Sequence, residues 1–93
     1  MYDPQELIKQ ECDKIKELLL EKNKNYGNSA LSPKRIFSKA STIEQLKVRI
    51  DDKLSRIGNV GITDSSEDTV SDLIGYLILL KIALRDRIEN ALS

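Results

Sequence analysis

Between residues 67 and 91 this chain carries apolar side chains on nearly every side of one predicted helix, and that pattern constrains the rest. Val70, Leu73, Leu77, Leu80, Leu84 and Ile88 line one face, Ile74, Ile78 and Ile82 a second, and Leu79 and Ala83 a third. A helix apolar almost all round has to be surrounded. The remaining sequence offers two other long helical patterns, too few to enclose it, and large exposed apolar patches are rare on monomers. The expected fold is all-α: a single domain over residues 1–93, with three main helices plus a short helical turn in the first long loop. Its helix-bundle core would be completed by copies of the chain, most simply as a two-fold dimer or otherwise as a higher oligomer.

The first helix is expected from about residue 4 to about residue 23. Asp3 is a good cap and Pro4 suits a first helical turn. Ile8, Cys12, Ile15 and Leu19 then recur at helical spacing. The pattern stops for roughly seventeen residues up to Ala40, long for an idle connection. Within that stretch, Asn25-Tyr26-Gly27-Asn28-Ser29 reads as a turn, and residues 32–37 read as a capped helical turn anchored by Ile36 and Phe37. A second helix is predicted from two overlapping capping boxes, Ser41 with Glu44 and Thr42 with Gln45. Ile43, Leu46, Ile50, Leu54 and Ile57 form its stripe, with Gly58-Asn59 as the expected end.

Composition excludes several functions. Fifteen basic and fifteen acidic residues leave no net charge, whereas proteins that track nucleic-acid backbones normally carry a basic excess. No nucleic-acid polymer is expected as partner. The longest apolar stretch, 73–84, is about two-thirds of a membrane span and contains Lys81, so no membrane partner is expected either. One cysteine and a start without a basic or apolar leader point to a cytoplasmic protein. The chain has no histidine, which removes zinc–histidine sites and histidine-based triads.

Three polar groups remain as candidates. Arg49, Asp52, Lys53 and Arg56 fall on one face of the second helix, about 60° from its apolar stripe by the 100° step. They would clamp a phosphate, or else form a solvated ion-paired face. Asp68 and Asp72 stand at i and i+4 on the third helix, a spacing that suits Mg²⁺ but also suits a helix start. Gly75, mid-helix, implies a close approach by a ligand or a partner helix, and Tyr76 follows it. Lys24, Tyr26 and Asn28 in the first loop would grip a phosphate or stack a base, or else form a plain turn.

The stretches Lys24-Asn25-Tyr26-Gly27-Asn28-Ser29, Ser32-Pro33-Lys34-Arg35-Ile36-Phe37-Ser38-Lys39, Val48-Arg49-Ile50-Asp51-Asp52-Lys53-Leu54-Ser55-Arg56 and Glu67-Asp68-Thr69-Val70-Ser71-Asp72-Leu73-Ile74-Gly75-Tyr76 resemble, in order, small phage and bacterial proteins with the nucleotide-modification-associated domain. That resemblance implies involvement with nucleotides. A looser similarity is to MazG-type all-alpha nucleoside triphosphate pyrophosphohydrolases, whose metal-binding helix reads acid, three residues, Asp, as Asp68 to Asp72 does. The preceding helix departs from that pattern, with Ser55 and Arg56 where acids would follow Asp51-Asp52. The leading expectation is a homo-oligomer that binds a nucleotide or nucleotide-derived signal, with sequestration of that signal in phage-infected cells as one role open to it. Lys24, Tyr26, Asn28, Arg49, Asp52, Lys53, Arg56, Asp72 and Tyr76 would make the site. The alternatives are a Mg²⁺-dependent hydrolase using Asp68, Asp72 and Asp52, and a structural oligomerisation module.

Overall fold

The computed structural model describes residues 3–25, 31, 40–63 and 68–92. All regular structure among them is helical: α1 (Pro4–Asn25), α2 (Thr42–Val60) and α3 (Thr69–Leu92). The helical turn expected over 32–37 lies outside the described residues.

Local chemistry sets the helix starts. The Gln5 N–H donates to Asp3 Oδ1 at 3.0 Å, which caps α1. Ser41 caps α2, its Oγ accepting from the Glu44 N–H at 3.1 Å. The second predicted capping box does not form in that way. The Thr42 hydroxyl reaches back to the Leu31 carbonyl at 3.3 Å, and Gln45 Nε2 donates to the Ala40 carbonyl at 2.9 Å. Both bonds fasten the returning chain to the start of α2. Asp68 caps α3. Its Oδ1 accepts from the Ser71 N–H at 3.0 Å and its Oδ2 from the Ser71 hydroxyl at 2.7 Å.

The predicted stop of the second helix at Gly58-Asn59 is corrected. The helix runs through both to Val60, and the cap is Gly61 at φ 94°. Its N–H bonds the Ile57 carbonyl at 3.0 Å. Positive φ is what a glycine supplies at low cost just past a helix end, and Gly58 has no such φ.

α2 and α3 pack along each other, and Leu46 of α2 and Ala83 of α3 are buried, 2% and 8% exposed. α1 docks by its C-terminal half: Ile15 is buried and Leu18 and Leu19 are half-buried. The expected full-length core face of this helix is corrected at its other end, where Ile8 and Cys12 are exposed. The face of α3 expected as one also divides. Leu73 and Leu80 turn inward, whereas Val70, Leu77 and Leu84 face out. The radius of gyration, 15.4 Å, exceeds the roughly 12 Å of a compact chain this long. Among the described residues no helix is long and apolar enough to cross a membrane.

Gly75 marks a close approach of α1 to α3. A Cβ built there stands 3.1 Å from Leu19 Cδ2, so the contact inferred from this mid-helix glycine is made by the chain's own first helix. Gly75→Ala should leave stability nearly unchanged, because Leu19 can turn slightly and alanine gains about 1 kcal/mol of helix propensity. Gly75→Leu should cost about 1–3 kcal/mol by overpacking, read from urea unfolding. A Gly75→Leu protein as stable as the parent would contradict this docking of α1.

Candidate functional site

Three helices meet at one carboxylate. Asp72 lies one turn into α3 with its side chain 20% exposed; its Oδ2 is 3.3 Å from Lys53 Nζ of α2, and its Oδ1 is 3.6 Å from Lys22 Nζ of α1. Lys53 sits there because the inward row of α2 is Leu46, Ile50, Lys53 and Ile57, with Leu54 left 52% exposed. The predicted stripe is corrected at that position. The lysine stem covers apolar surface while its ammonium reaches the aspartate.

The four charged residues expected to share a face of α2 are divided by the packing. Lys53 and Arg56 are half-buried, whereas Arg49 and Asp52 are exposed. Tyr76, one turn beyond Asp72, is half-buried, and Lys24 is exposed in the last turn of α1. Tyr26 and Asn28 lie outside the described residues. Lys53 and Asp72, both predicted, are brought into contact by the fold. Lys22 was not among the candidates, although the sequence carries its signal: it extends the row Ile8, Cys12, Ile15, Leu19 by one further step of three.

Beside this cluster an open groove of about 590 Å³ runs between α1 and α3, lined by Glu11, Lys14, Ile15, Leu18 and Lys22 on one side and by Asp68, Ser71 and Asp72 on the other. Lys14 is engaged by Glu11 at 3.2 Å. The Ser71 hydroxyl, and after it the Ser71 N–H, hold the Asp68 carboxyl below the ordinary aspartate value. A carboxylate whose folded pKa is lowered contributes stability above its unfolded pKa, about 3.9, and loses it as pH falls through the folded value. Acid titration of the urea midpoint should show this contribution disappearing at low pH. Asp68→Asn keeps an acceptor for Ser71 and should flatten that part of the profile; an unchanged profile would contradict the capping role.

The oxygens of both aspartates are engaged within the protein. Both oxygens of Asp72 face ammonium groups, and both oxygens of Asp68 accept from Ser71. Among the described residues no three acidic or cysteine side chains gather where they would share a metal ion. Comparison of the chain with protein-family models, with curated proteins and with solved structures gives no match.

Proposed function

We propose that this chain assembles with copies of itself and binds a small phosphorylated ligand of the nucleotide class where α1, α2 and α3 meet. The observation that carries this reading is the convergence of Lys22 and Lys53, from two different helices, on Asp72 at the edge of the groove. As a device for stability alone the cluster is a poor choice, since a half-buried ion pair is often matched or bettered by apolar packing. As a binding device it is well placed. The Lys22 side chain is 51% exposed, so its ammonium can turn from Asp72 to a ligand in the groove.

A phosphate entering here meets the N–H groups of Lys22 and lies close to Lys53, while Asp72, an acceptor, takes a hydroxyl or amino group of the ligand. Ile15 and Leu18 offer apolar wall for a base. Membership of the nucleotide-modification-associated family, proposed on the motifs quoted above, points to the same class of ligand. Binding without hydrolysis is favoured over the Mg²⁺-dependent alternative by the lysines on Asp72, which a cation would have to displace. Sequestration of a nucleotide signal is the role such binding would serve. Assembly is favoured by the outward side of α3, where apolar side chains stand in solvent.

A thermal-shift screen against mono-, di- and triphosphate nucleotides, with and without Mg²⁺, tests this directly. A ligand at about 100 times its Kd adds about 2.7 kcal/mol, so the midpoint should rise by about 10–20 °C. Lys53→Ala should cut the rise to about half or less, and Arg49→Ala, on the exposed side of α2, should keep it. The absence of a shift with every nucleotide would sink the reading.

A further inference from the structure

We infer that the outward side of α3 is the surface on which two copies of this chain pair, a step that rests on the assembly reading above. Of the twelve large apolar side chains exposed among the described residues, five lie on this one side: Val70, Ile74, Leu77, Ile78 and Leu84, each 37–45% exposed. Val70, Ile74, Leu77, Lys81 and Leu84 follow one another at steps of four, three, four and three. That is the 3.5-residue period by which one helix packs its side chains into a like helix. The row is opposite the buried side of α3, where Thr69, Gly75 and Ala83 face the other helices. Lys81 interrupts the row once. A single polar residue in such a seam selects a register, and a lysine can carry its ammonium to the rim.

The occupant follows from area. The chain exposes 7632 Å² for a mass of 10.5 kDa, whereas a compact monomer of that mass exposes about 5400 Å². The excess over the whole chain is about 2200 Å², of which a standard interface would take about 800 Å² from each partner. A copy of the chain is the one partner always present at the chain's own concentration, and its α3 has the matching period.

Sedimentation velocity of the full chain over a concentration series, alongside Leu77→Glu and Val48→Glu, tests the proposal. The parent should sediment as a dimer or a multiple of it. Leu77→Glu should weaken association by roughly 100-fold, the penalty for a carboxylate placed among apolar side chains. Val48→Glu, at an exposed site on α2, should leave association intact. An obligate pair that loses its interface also loses its fold, so a second variant keeps the test decisive. Leu77→Cys in a Cys12→Ser background should cross-link copy to copy with a short bismaleimide, whereas Val48→Cys in the same background should not. A chain monomeric at every concentration would overturn both assembly and interface. A chain that assembles, but resists Leu77→Glu and cross-links through position 48, would overturn this interface while leaving assembly standing.

Discussion

Replacing Leu46 with alanine lowers the thermal unfolding midpoint by about 15 °C at fixed protein concentration. Leu46 is the most buried large side chain among the described residues, 2% exposed. It lies on α2 in the row that faces the other helices. Removing a buried leucine side chain to the β-carbon costs about 2–5 kcal/mol, through lost transfer energy and the cavity left behind. In a domain worth about 5–15 kcal/mol that is a large share. The loss should be felt more here than in a deeper core, because Ile15 and Ala83 are the other described apolar side chains in the buried class. Leu54→Ala provides the comparison. That side chain is 52% exposed, and its truncation should cost far less, although both leucines belong to the same sequence stripe. Equal losses for the two would show that the inward row has been misplaced.

Asp72→Ala should lower stability by about 2 kcal/mol, or roughly 10 °C in midpoint. The carboxylate is one-fifth exposed and is ion-paired with two ammonium groups, so its removal leaves both lysines without that counter-charge. Breaking a fully buried pair costs about 3–5 kcal/mol. The smaller figure allows for solvent screening at Lys22, which is about half exposed. Pyrophosphate should restore part of the loss, because it supplies anionic oxygen to the same two ammonium groups. A variant destabilised as expected but indifferent to pyrophosphate would leave the cluster as a clasp between helices and remove its role in ligand binding. A variant with no change in stability would mean that the three helices do not depend on Asp72 at all.

The helices themselves were legible in the sequence, because their apolar periods and caps are local properties. Asp3, Ser41 and Asp68 cap helices within hydrogen-bond distance of residues two or three positions on, and such interactions need no tertiary context. The end of α2 was misread because two glycines compete for it. Only the backbone conformation separates Gly61, with its positive φ, from Gly58. Lys53 was legible as a charge beside the stripe but not as a member of the inward row. Leu54 is the more apolar neighbour, and that Lys53 turns inward to meet Asp72 depends on how α2 packs against α3, which is not a local property. Cys12 and Ile8 were assigned to a core face that α1 does not complete within one chain. A sequence period shows which side of a helix is apolar; it does not show how much of that side a neighbour reaches. Gly75 was legible as a point of close approach, and the structure supplies Leu19 as the approaching group.

The most direct test of a lysine-framed phosphate site is calorimetric titration of the nucleotide giving the largest thermal shift into the parent chain, Lys22→Ala and Lys53→Ala. A charge-assisted hydrogen bond is worth about 1.5–3 kcal/mol, so each variant should bind at least about 10-fold more weakly while remaining helical. Affinity unchanged in both variants would place the ligand elsewhere and contradict the site described here.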